Sequence, residues 1–168
     1  MFKEENDKIR TEILLAAVEL PDDRLNAKPS EKEWSPMQIL EHLHLMETVI
    51  AHNISKQLLK EESKKAMKKP IQMTVNRAIK VDAPEYVTPS EEWVALEDMK
   101  ERLATSRELL NGVYDSSTEE ILAAKSMPHP VFGKVPLNQW FPFIGYHEKR
   151  HLKQLEEAIN KINHENTK

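Results

Sequence analysis

Apolar residues recur at three- and four-residue spacings in four stretches of this chain, the repeat of a helix with one buried face. The first stripe, over residues 2–20, consists of Ile9, Ile13, Ala16, Ala17 and Leu20, and Pro21 stops a helix there. A connector follows through Pro29. The second stripe carries Ile39, Leu43, Met46, Val49, Ile50 and Ile54. It opens on Ser35-Pro36-Met37-Gln38, a cap serine, a proline at the first helical position and a glutamine three residues past the cap, which together spell a capping box. In the third stripe Trp93, Leu96, Met99, Leu103, Leu110 and Val113 follow Ser90, which is predicted as the cap of a helix ending near Gly112. Ser117 with Glu120 predicts a short capped turn, and the prolines of residues 126–136 predict a loop. The last stripe, through Ile144, Leu155, Ala158 and Ile159, ends near Ile162. Trp34, Trp93 and Trp140 each adjoin a helix start and read as packing residues.

Four amphipathic helices with one short and two long connections predict an all-α protein, a four-helix bundle built as a single domain over residues 1–168. Only three glycines punctuate the chain, which further favours helix. The connector at residues 70–89 is long enough to travel the length of a bundle, so the helices on either side of it can run parallel. The lysine-rich stretch at 60–69 reads as a solvated helix end.

Composition narrows the chemistry. With 39% hydrophobic and 31% charged residues the chain suits one core in water. A net charge of -4 with interspersed signs gives no footprint for nucleic acid. No apolar stretch approaches membrane-spanning length and acids crowd the start, so neither anchor nor secretory signal is expected and a cytoplasmic location is. With no cysteine, any metal must be held by nitrogen and oxygen.

Histidine is therefore the ligand to place on the helices. Taking His42 as zero at about 100° per residue, Met46 lies at about 40° and Ile39 at about 60°, so His42 falls within the apolar stripe. His44, at about 200°, and His52, at about 280°, are predicted to face solvent. His147 and His151 are four residues apart and share the apolar face of the last helix. Three imidazoles buried near one level need their nitrogens satisfied, and one divalent ion does this for all three. The alternative is a set of neutral core histidines with no metal. Three protein ligands leave coordination open, as in catalytic sites, and imidazole suits several metals, of which zinc and nickel lead. Gln154, one turn beyond His151, can orient a ligand or serve only in packing. Glu148 falls on the buried side, as a base or as the partner of a Lys or Arg. His129 reads as a surface loop residue or a proton shuttle at the bundle mouth. Pro142 and Gly145 leave the local helix geometry before His147 open. No phosphate loop and no Gly-x-Ser-x-Gly occurs.

Two motifs give the chain a family likeness. Trp34-Ser35-Pro36 leading to Glu41-His42-Leu43, and His147-Glu148-Lys149-Arg150-His151 followed by Gln154, resemble the DinB/YfiT-like family of metal-binding four-helix bundles. The segment His129-Pro130-Val131-Phe132-Gly133 before the last helix is similar too. The resemblance spans most of the chain. It implies a bundle with long crossover connections and His42, His147 and His151 as metal ligands. It also implies an enzyme acting on a small molecule, either an S-transferase that activates a low-molecular-weight thiol or a hydrolase that activates water. A non-catalytic metal-binding or stress-related bundle is the alternative, and a homodimer is a plausible assembly.

Overall fold

The structure, a computed structural model, describes residues 1–165. Four long helices dominate it: α1 (Phe2–Ala17), α3 (Pro36–Leu58), α4 (Leu96–Asp115) and α6 (Leu137–Glu165). Between them lie the single turn α2 (Asp22–Leu25), the short α5 (Glu119–Ala124) and the strands β1 (Ser126–His129) and β2 (Gly133–Pro136). The capping box at Ser35 and Gln38 forms as read from the sequence.

Long-range contacts give the helix directions. Asn6 meets Phe141, Arg10 meets Glu148 and Arg24 meets Ile162, so the chain of α1 and α2 runs alongside α6 in the same direction. His44 meets Arg102 and Glu47 meets Arg107, so α3 and α4 are also parallel. Asp7 pairs with Arg107 and Lys3 with Asp115, which sets α1 against α4. Two parallel pairs opposed to each other require a crossover, and residues 59–95 supply it.

Several boundaries depart from the sequence reading. The first helix stops at Ala17, yet Leu20 stays buried in the turn beyond it. The lysine stretch at 60–69 lies past the end of α3 rather than in it. Ser90 does not cap the third helix, because its N–H and hydroxyl are taken by the Glu41 carboxylate. That helix begins at Leu96, whose N–H is received by Asp22 of α2, while Asn26 bonds both backbone groups of Val94. Trp93 consequently lies outside the helix and is exposed, with its indole N–H on Asp23. Thr118, not Ser117, caps α5.

The predicted loop at 126–136 is a hairpin in which Met127 faces Val135 and His129 faces Gly133. Prolines at 128 and 136 hid it, but a two-stranded ribbon consists only of edges, where proline is tolerated. Gly133 turns the chain at φ 71°, a conformation that favours glycine. Met127 and Val135 bury against the start of α6, and the Trp140 indole donates to the Val135 carbonyl. Pro142 sits inside α6 without ending it.

Candidate metal centre

The structure brings the three inward histidines together. His42 projects from the second turn of α3, whose start is fixed by the capping box, and His147 and His151 project from successive turns of α6. The His42 and His147 Nε2 atoms are 3.2 Å apart, as are those of His151 and His147. Among the described residues these three form the one group with histidine, aspartate or glutamate ligand atoms gathered within 4.8 Å.

Partners on the far side of two rings fix their tautomers. The His42 Nδ1 donates to the Val87 carbonyl at 2.8 Å, and the His151 Nδ1 donates to the Gln154 Oε1 at 2.7 Å. Both Nε2 atoms are then bare lone pairs turned toward His147. A single Nε2–H on His147 can satisfy only one of them. A divalent ion satisfies all three, and tetrahedral ligands at about 2.0 to 2.1 Å would stand about 3.3 Å apart, close to the spacing here.

Charge favours the same reading. Burial holds the His42 imidazole below its ordinary value despite the Val87 carbonyl. Burial and then repulsion from His42 push His151 down to about 3, and burial, with His151 and His42 alongside, holds His147 well below normal. All three are neutral at pH 7, the form that binds metal. The Trp34 ring packs 5.1 Å from that of His42, and Phe143 stacks 5.9 Å from His147. On its remaining side the cluster meets a cavity of about 820 Å³, walled by α3, α6, the hairpin and the crossover.

The other candidates separate. His52 is exposed as expected, but His44 is half-buried, with its Nδ1 on the Arg102 carbonyl. His129 is not a free loop residue: its ring packs among Phe132, Trp140 and Phe143 on the cavity wall. Its Nδ1 accepts the Val131 and Phe132 N–H groups, so Nε2 carries the proton, and burial pushes its pKa down to about 4. Glu148 takes the ion-pair alternative, bonding Arg10 and Arg107 away from the histidines.

Sequence reasoning missed what surrounds Glu148. Arg10 of α1, Glu47 of α3, Arg107 of α4 and Glu148 of α6 form a buried cluster of two positive and two negative groups, one from each long helix. Ser106 adds a hydroxyl to Glu47 at 2.5 Å. A search for apolar periodicity skips charged residues, although Asn6, Arg10, Ile13 and Ala17 share the buried face of α1 at helical spacing. The Val87 carbonyl was equally hidden, since no residue type marks a backbone acceptor arriving on a crossover.

Comparison with known proteins agrees with this architecture. The sequence profile of the DinB superfamily matches residues 5–155. The uncharacterized protein YuaE of Bacillus subtilis (strain 168) is 35% identical over 143 residues, covering 85% of this chain and 88% of that protein. The crystal structure of TT2238, a four-helix bundle protein, superposes with a TM-score of 0.62 at 20% identity, over 93% of this chain and 96% of the other. YfiT of Bacillus subtilis, described as a probable metal-dependent hydrolase with an unusual four-helix bundle topology, gives 0.61 at 13% identity, over 96% and 86%.

Proposed function

The chain belongs to the DinB superfamily, and from that premise we propose that it is a metal-dependent enzyme whose ion, zinc or nickel, is held by His42, His147 and His151. The observation that carries this reading is the convergence of three Nε2 atoms, two of them stripped of protons by Val87 and Gln154. Bound there, the ion supplies Lewis-acid activation of water or of a small thiol.

Three protein ligands beside a cavity of about 820 Å³ favour catalysis over a closed structural site. The cavity suits a small-molecule substrate. Hydrolysis draws support from the description of YfiT, and a low-molecular-weight thiol is the alternative nucleophile. The chain's own groups have definable parts. Val87 and Gln154 orient imidazoles, Trp34 and Phe143 shield them from water, and His129 offers a fixed Nε2–H from the wall.

Zinc- and nickel-loaded protein should be assayed against activated esters and amides, and against electrophiles in the presence of small thiols. Turnover by the loaded wild type that disappears in His147→Ala is expected. Turnover that is unchanged in the variant would place the chemistry elsewhere.

A further inference from the structure

The cavity continues well past the histidines, and its walls change character along the way. Along α3 it is lined from His42 to Lys56, fourteen residues and therefore about 21 Å at a rise of about 1.5 Å each. Beside His42 lie the three ring nitrogens. The middle is apolar: Met46 and Ile50 from α3 face the Trp140 and Phe143 rings of α6, with Met127 and Phe132 from the hairpin. Such walls offer few donors or acceptors, which disfavours a sugar or another evenly polar ligand.

Lys56 and Lys60 line the end remote from the histidines, and neither side chain enters an ion pair among the described residues. Six of the lining residues are Lys or Arg and two are Asp or Glu, in a chain whose net charge is -4. One of those two acids, Glu33, is already taken by Lys161. Arg77 is likewise committed to Glu157, and Arg150 to the Thr74, Asn76 and Ile79 carbonyls. The cations still open to a ligand are lysines. The sign of the cavity thus opposes that of the molecule, the arrangement that concentrates and selects an anion.

We propose that the substrate is an amphipathic organic anion, with an acyl or aromatic body between α3 and α6 and an acidic group at Lys56 and Lys60. Placing its reactive end at the histidines rests on the function proposed above. Binding of the body and the acidic group does not.

Calorimetric titration of the full chain with decanoate, decanol and decyltrimethylammonium, as purified and again after zinc loading, tests this. Decanoate should bind about tenfold or more tightly than the ammonium, with the alcohol between. In K56E/K60E that preference should vanish or invert at an unchanged circular dichroism spectrum, since both lysines are exposed. The inference is overturned if none of the amphiphiles binds, if all bind equally, or if the preference for decanoate survives K56E/K60E. A preference that arises only on zinc loading also overturns it, by putting the carboxylate on the ion. Failure to take up zinc with this selectivity intact would instead sink the metal-dependent function and leave the anion site standing.

Discussion

At the scale of residues, the orientation of the cluster comes from two acceptors behind the imidazoles. A carbonyl on the crossover and an amide one turn along α6 each claim an Nδ1–H, and each leaves a lone pair on the opposite nitrogen. Gln154→Leu should therefore weaken zinc affinity about 10- to 100-fold with helix content unchanged, as chelator competition would reveal. Unchanged affinity would reduce Gln154 to a packing residue. His147→Ala and His151→Ala are expected to abolish binding, while His44→Ala should leave it near wild type, because His44 bonds the Arg102 carbonyl on the other side of α3. The inward placement of His42, His147 and His151 was legible in the sequence, since an inward histidine declares itself by its angle to the apolar stripe. The partner of His42 was not, because Val87 lies 45 residues away along the chain.

Among the elements, α6 is buried on two sides that do different work. His147 and His151 turn toward α3 and the crossover, while Glu148 turns toward α1 and α4. Burial alone would raise the Glu47 carboxyl, but Arg10, Arg107 and the Ser106 hydroxyl overcome it and hold the group below its ordinary value. For Glu148 burial prevails over the same arginines and the carboxyl sits above normal. Removing one member of such a buried cluster strands its partners, so Glu47→Gln should cost about 3 kcal/mol at pH 7. Because the folded pKa of Glu47 is depressed, its stabilisation is present above the unfolded value near 4.5 and is lost as pH falls through the folded value. Urea unfolding should accordingly find a smaller Glu47→Gln penalty in acid than at pH 7, and a constant penalty would deny the ion pairs their role.

The close approach of α1 and α6 rests on a glycine. A Cβ on Gly145 would lie 2.3 Å from the Asn6 Oδ1, and Asn6 is held by its bond to the Phe141 carbonyl. Gly145→Ala should lose about 2 kcal/mol of stability, and Asn6→Ala should recover part of it in the double variant. Helix propensity by itself would make the alanine stabilising by about 1 kcal/mol, so a more stable Gly145→Ala protein would refute the close approach.

Across the whole molecule, helix content and the bundle could be read from apolar spacing, and the parallel pairing of α3 and α4 was allowed by the length of their connector. The hairpin, the true start of α4 and the four-helix charge cluster could not. Each depends on polar partners that meet only after the chain has folded, such as Asp22 on Leu96 or Glu41 on Ser90. The crossover is more than a link between helices, since Val87 orients His42, Arg150 ties residues 74–79 to α6, and the same segment walls the cavity. Fold and candidate site are consequently inseparable here: the topology that needs a long crossover also delivers the acceptor that exposes the His42 lone pair.

The most direct test of the metal centre is elemental mass spectrometry of untagged wild-type protein beside His42→Ala and His147→Ala. The wild type should carry about one equivalent of a divalent ion and both variants should lose it, as shared ligation requires. Equal metal in all three proteins would contradict it, as would a wild type that holds no ion and takes up neither added zinc nor added nickel.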